Sequence, residues 1–242
     1  MRSFLAKWAE LTHRSARSYS FRRSLMYSIR RVLGLVLRDE ADKKVQELWS
    51  QYQTCCTKII AHGTVLDVGC GIGEHSTEII KLWKAKSYFG VDISAGMVKD
   101  AKRRYPTVDF IAADGCSLPF QNGNLDVVTS SFAFHHVPVA LRRKFLQEQL
   151  RVGKIVLLRD LFGMEPGWRG WLYRIYYVIF DGSEYRFTLR EWHRFIESTG
   201  AEIVLESHSP LDVVRNRHCF FLIRPILSFG FQYDQVEDCC DS

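Results

Sequence analysis

The chain has 242 residues, 47% of them hydrophobic, and a formal charge of +6. That length suits one well-buried domain with an appendage, and no stretch approaches the roughly 18–20 uninterrupted apolar residues of a membrane-spanning helix. None of the seven cysteines (Cys55, Cys56, Cys70, Cys116, Cys219, Cys239 and Cys240) belongs to a C-x-x-C pair, so no structural metal site is expected, and the odd count fits a reducing compartment.

The first segment, residues 1–60, reads as a helical basic arm. Residues 1–38 hold nine Lys/Arg and one acid, Glu10, a net of +8, so the rest of the chain sums to 6 − 8 = −2. Phe21, Leu25, Ile29, Val32, Leu33 and Val36 recur at helical spacing, with Arg23, Arg30 and Arg38 elsewhere on the wheel. Such a helix packs on the domain, lies on an anionic membrane surface, or serves as an import presequence. A second helix is expected over Asp39–Ala61.

Residues 61–230 read as the main domain. Short apolar runs fall at Thr64–Val68, Ser87–Val91, Asp109–Ala112, Leu125–Ser130 and Ile155–Leu158, with helical stretches at Gly73–Trp83, Gly96–Arg104 and Val139–Leu150. Strand alternating with helix implies βαβ units and a mostly parallel, Rossmann-like α/β sheet. The later runs Glu202–Leu205 and Cys219–Ile223 have no long helix between them and read as an antiparallel pair at one sheet edge. Residues 231–242, FQYDQVEDCCDS, carry four acids and no base and read as an acidic tail.

The turn after the first strand, VLDVGCGIGEHS (65–76), places Gly69, Gly71 and Gly73 where the backbone bends and where a ligand would lie against it. The next strand ends in Asp92, 92 − 73 = 19 residues past the last glycine, where a carboxylate accepts from both hydroxyls of a ribose. A dinucleotide fingerprint is spaced G-x-G-x-x-G; here the spacing is G-x-G-x-G, and Glu74 stands where a phosphate would sit. Asp67 likewise suits a cationic ligand group. S-adenosylmethionine carries an ammonium, a sulfonium and no phosphate, so the charges favour it over NAD.

With VLDVGCGIG (65–73), GVDIS (90–94), AADGCSLPF (112–120) and NLDVVTSSFAFHHV (124–137), the chain resembles class I S-adenosylmethionine-dependent methyltransferases. The likeness is greatest to the branch of ubiquinone/menaquinone C-methyltransferases and small-molecule methyltransferases. It covers residues 60–160 well and 185–224 loosely. The resemblance implies that Asp67, Gly69 and Gly71 hold the methionine end, that Asp92 takes the ribose, and that Ile93 and Met97 pack on adenine. It further implies that Asp114 accepts from the adenine amino group beside Gly115 and Cys116, and that Ser130, Ser131 and Phe132 sit near the methionine. One departure stands out: the turn before the fifth strand is LRVGK, with Gly153 alone.

Methyl transfer from a sulfonium is an in-line displacement, in which the protein supplies positioning and, for an acceptor that must lose a proton, a base. His135 and His136, just past the fourth strand, are the candidate bases. Residues 159–180, RDLFGMEPGWRGWLYRIYYVIF, would roof an apolar acceptor pocket or form ordinary core. The expected function is methylation of a small, lipophilic or aromatic acceptor at carbon or oxygen, by a cytoplasmic enzyme, membrane-associated or mitochondrial if the arm so directs. The alternatives are a tRNA methyltransferase that uses the arm on phosphates, a non-catalytic methyltransferase-like subunit, and an arsenite methyltransferase using the vicinal cysteines. No nucleic acid enters the leading reading.

Overall fold

The computed structural model describes residues 61–164, 186–209 and 217–226, with isolated positions between 47 and 57 and between 167 and 171. The arm, the vicinal cysteines, the acidic tail and most of the aromatic segment lie outside the described residues. Within the helix expected over Asp39–Ala61, the described positions Glu47, Ser50, Thr54 and Thr57 are helical.

Among the described residues, seven strands form one sheet in the order β3-β2-β1-β4-β5-β7-β6. They are β1 (Thr64–Val68), β2 (Ser87–Asp92), β3 (Asp109–Ala112), β4 (Leu125–Ser131), β5 (Gly153–Leu161), β6 (Ala201–His208) and β7 (His218–Pro225). The first five are parallel, and β7 runs antiparallel to both β5 and β6. The expected antiparallel edge is therefore present, and β7 lies inside it.

Side chains alternate across the sheet with the period of two that a pleated strand dictates. On one face Leu66, Val68, Val128, Val156, Leu158, Phe221 and Ile223 meet α3 (Arg142–Val152) and α4 (Leu189–Ser198) through Phe145, Leu146, Leu150, Trp192 and Ile196. On the other, Val65, Val127, Ile155, Leu157, Phe220 and Leu222 meet α1 (Ser76–Leu82) and α2 (Ala95–Arg104) through Ile79, Trp83, Val98 and Ala101. The helical contacts repeat at three- and four-residue spacing, one stripe per helix. Two caps fix helix starts. Ser94 accepts from Met97 N at 3.3 Å, and Thr188 forms a reciprocal capping box with Glu191.

Two boundaries differ from expectation. The first helix starts at Ser76 instead of Gly73, because Gly73 has φ +75°, outside helical space. The stretch expected to start at Val139 opens with a 3-10 turn, Val139–Leu141, before α3. The LRVGK departure has a simple outcome: α3 ends at Val152 and β5 begins at Gly153, with no loop between them. A Cβ at Gly153 would press on the Val128 side chain within 3.0 Å.

Candidate active site

Strand order reverses between β1 and β4, so a crevice opens at the carboxyl ends of β1, β2 and β4, the ligand position of open α/β sheets. The glycine turn lies there. Gly69 N and Cys70 N both donate to Val91 O, at 2.7 and 3.0 Å, which draws the turn against β2. All three glycines have positive φ, +80°, +55° and +75° in chain order, a region where other residues are strained. Their neighbours differ. A Cβ at Gly69 would overlap Ala133, and one at Gly73 would meet Phe110 and Tyr105. A Cβ at Gly71 would meet no atom of the described residues within 4 Å. Gly69 and Gly73 are packing glycines, whereas Gly71 faces space open among the described residues.

Asp92 ties the turn to β2. Its Oδ2 accepts from Gly71 N at 2.9 Å and its Oδ1 from Ser94 N at 2.8 Å. These two bonds, made to separate oxygens of one carboxylate, fix the orientation of the group. Next to it Ile93 is 76% exposed, an apolar shelf at the crevice, while Met97 is buried against Ile72. Across the crevice, exposed Asp114 accepts from Cys116 N at 2.8 Å. The space beside Gly115 is filled by the Phe145 ring, so its lack of a side chain is a packing requirement. The following loop is held from α3: Glu148 accepts from Leu118 N at 2.9 Å, and Arg151 donates to the carbonyls of Leu118 and Phe120. Burial pushes the Cys116 thiol up to about 11, so it is not a nucleophile at neutral pH.

Asp67 is 3% exposed and accepts from the Tyr88 hydroxyl at 2.8 Å. Burial pushes its carboxyl up to about 6. A cationic neighbour would favour its ionised form. Tyr88 shows no signal in the motifs; its position on β2, on the same sheet face as Asp67, could have suggested it.

The turn after β4 contains Phe132 at φ +56°, an outlier for a bulky residue and a mark of a constrained site. His135 lies 4% exposed just beyond. Asp160, near the end of β5, takes both of its donors: His135 N at 2.9 Å through Oδ2, and the ring Nδ1 in a short bond to Oδ1. With Nδ1–H donating to a carboxylate, Nε2 is the ring's basic nitrogen. The His136 ring lies beside it, centroids 4.0 Å apart, and is half-buried. Arg142, 1% exposed, donates to the carbonyls of His135 and Val137 and so pins the turn from α3. His75 caps α1 without a side-chain bond and faces Glu78 at 3.7 Å.

The geometry is compatible with S-adenosylmethionine: a turn at Gly71 clear of other described atoms, the Asp92 carboxylate fastened beside it at the end of β2, an exposed apolar shelf at Ile93, and the exposed carboxylate of Glu74 where a phosphate would be repelled. Comparison with known proteins agrees. Residues 65–154 match the methyltransferase domain family. A demethylmenaquinone methyltransferase of Paenarthrobacter aurescens is 37% identical over 109 residues, 43% of this chain and 42% of that protein. The ubiquinone/menaquinone biosynthesis C-methyltransferase UbiE of Bartonella tribocorum is 28% identical over 156 residues, 56% of this chain and 59% of the relative. The chain thus spans less than two thirds of the length of either. Among solved structures, a SAM-dependent methyltransferase from Aquifex aeolicus aligns with TM-score 0.53 at 18% identity, over 76% of this chain and 88% of the other. The fold is that of class I methyltransferases, and the cofactor of such a domain is S-adenosylmethionine.

Proposed function

We propose that this chain, built around a class I methyltransferase domain, transfers the methyl group of S-adenosylmethionine to a small, lipophilic or aromatic acceptor at carbon or oxygen. The observation that carries the reading is the junction of Gly71 with Asp92, an open backbone cradle fastened to a carboxylate at the end of the neighbouring strand. Quinone-directed relatives among the sequence matches support the acceptor class.

The bound cofactor supplies a methyl group activated by its sulfonium. The remaining work falls to the chain. Gly69 and Gly71 bring backbone to the methionine end, and Asp67 balances its ammonium. Asp92 takes the ribose hydroxyls, Ile93 and Met97 border adenine, and Asp114 with Gly115 and Cys116 reads its edge. Ser131 and Phe132 would sit near the methionine and the entrance to the acceptor site. His135, oriented by Asp160, takes the acceptor's proton on Nε2, with His136 beside it. Cytoplasmic residence, with peripheral membrane contact through the basic arm, would suit a lipophilic acceptor; co-sedimentation with anionic vesicles tests that contact.

The test is incubation with methyl-labelled cofactor and a cell extract separated into lipid/small-molecule, RNA and protein fractions, with Asp92→Ala as control. Label in the organic fraction, lost in the variant, is the expected result. Label in RNA would overturn the acceptor class and assign the arm to phosphates. Absence of label with cofactor binding intact would favour a non-catalytic subunit.

A further inference from the structure

Outside the crevice, a guanidinium–carboxylate pair grips the loop that follows β3. Arg151 stands where α3 runs directly into β5, toward the amino ends of β4 and β5, whereas the crevice opens at the carboxyl ends. Its guanidinium has five N–H groups, and each has an acceptor. Nε and Nη2 donate to the two oxygens of Glu148, both at 2.8 Å. Nη1 donates to Phe120 O at 2.9 Å and to Asn122 Oδ1 at 2.8 Å, and Nη2 also donates to Leu118 O at 3.1 Å. Glu148 Oε2 accepts in turn from Leu118 N at 2.9 Å. Leu118 is thus held at both its amide and its carbonyl. The backbone adds a further tie, with Gly123 N donating to Arg151 O at 2.8 Å.

The other end of the same loop lies in the crevice. Ala113 N donates to Asp92 O at 3.1 Å, which brings the start of the loop to the carboxyl end of β2. The Asp114 carbonyl accepts from Ser117 N at 2.9 Å, and its Oδ1 from Cys116 N at 2.8 Å. Oδ2 takes no hydrogen bond among the described residues, and the side chain is exposed. A loop that reads the edge of a base must hold its polar atoms to within about 0.5 Å. An ion pair whose two side chains are 32% and 18% exposed adds little to stability. Five donors and a carboxylate committed to one loop instead fix the path of its backbone.

We propose that Arg151 and Glu148 are positioning residues for cofactor recognition: by gripping Leu118 and Phe120 they hold Asp114 where Oδ2 accepts from the 6-amino group of adenine, and so set the preference for that base. The inference rests on the methyltransferase reading, with Asp114 at the adenine edge. Both residues act through the loop.

The test titrates the full chain with S-adenosylhomocysteine and with the analogue that carries purine, lacking the 6-amino group, in place of adenine. The parent should bind S-adenosylhomocysteine about tenfold or more tightly than the analogue, the worth of a hydrogen bond to a charged group. Asp114→Ala should abolish that preference. Arg151→Gln and Glu148→Gln should bring it down to about twofold, because a misplaced acceptor gives up most of the bond. The loss should fall on S-adenosylhomocysteine, with affinity for the purine analogue little changed. Arg151→Lys keeps the charge but loses the fork; it should give the same fall and serves if a glutamine variant does not fold. Thr188→Ala, at the start of α4, should lower stability and leave the preference at its parent value. Equal binding of the two ligands by the parent overturns the inference and leaves the methyltransferase reading intact, as does a preference that survives the Arg151, Glu148 or Asp114 substitutions. Weakening of both ligands in the same proportion, or loss of the preference in Thr188→Ala, also overturns it, since the pair would then act on the stability of the fold alone. If the parent does not bind S-adenosylhomocysteine, the methyltransferase reading fails and this inference with it.

Discussion

Gly69 and Gly71 stand two residues apart in one turn, both at positive φ, yet alanine should damage them in opposite ways. At Gly69 the substitution adds two penalties. The left-handed backbone costs about 1–2 kcal/mol for a residue with a Cβ. The new methyl would lie closer to Ala133 Cβ than the 3.0 Å that real Cβ contacts respect, and overpacking costs about 1–3 kcal/mol. Together these give about 2–5 kcal/mol, a large share of the roughly 5–15 kcal/mol that holds a domain folded. At Gly71 only the backbone penalty applies, about 1–2 kcal/mol, because a Cβ there meets nothing among the described residues within 4 Å. That methyl instead occupies the cradle. Gly71→Ala should therefore remain folded and bind S-adenosylhomocysteine about tenfold to a hundredfold more weakly, the clash being of overpacking size. Urea midpoints at unchanged slope read the first quantity and isothermal titration the second. If Gly71→Ala binds normally, the cradle is not the ligand's position. If Gly69→Ala is as stable as the parent, the contact with Ala133 has been misjudged.

Further outcomes follow from the buried charges and caps. Asp67 has its folded pKa raised by burial from 3.8 to about 6, so its contribution to stability should grow by about 3 kcal/mol as pH falls from above 6 to below 4. His218, held down at about 3 by burial and by Arg159, works the other way, losing stability as pH falls below its unfolded value near 6.5. The difference in urea stability between the parent and Asp67→Asn, measured between pH 7 and 5, isolates the first effect and should shrink on acidification; a constant difference would exclude an ionising, buried Asp67. Asp160→Ala strips the His135 backbone and ring of their acceptor and should cost about 3–5 kcal/mol by thermal or urea unfolding. Under the proposed base role, His135→Asn should lower kcat with KM little changed, whereas a purely structural His135 would lower stability alone. Thr188→Ala removes the capping box of α4 and should cost about 1 kcal/mol; no loss would mean the cap is dispensable.

The strands could be read from the chain because each is a local pattern. Thr64–Val68 and Asp109–Ala112 have the expected bounds, and the others lengthened by one to a few residues at ends where apolar character fades. The place of Asp92 beside the glycine turn was readable for the same reason, since its distance from the glycines is fixed by one βα unit. What escaped is non-local. Asp160 reaches His135 across 25 positions, and Tyr88 reaches Asp67 across 21; no periodicity encodes either pairing. Arg159 and Phe220 meet only because β7 lies beside β5. The box Thr188-x-x-Glu191, by contrast, carries a local signature that marks the start of α4.

The place of β7 also governs the order in which the sheet can be assembled. β6 joins the sheet through β7 alone, and β7 must slide between β5 and β6 in the reverse direction. As the chain emerges from the ribosome, β6 therefore waits without a neighbour until residues 218–225 have been made. During that interval the flank of β5 is an open edge of unpaired amides, the kind of surface that captures strands from other chains. In order of synthesis, this is the last of the sheet's strand pairings to become possible among the described strands. A chain that stops short of His218 loses two strands at once, and with them the Phe220 ring that lies beside Arg159.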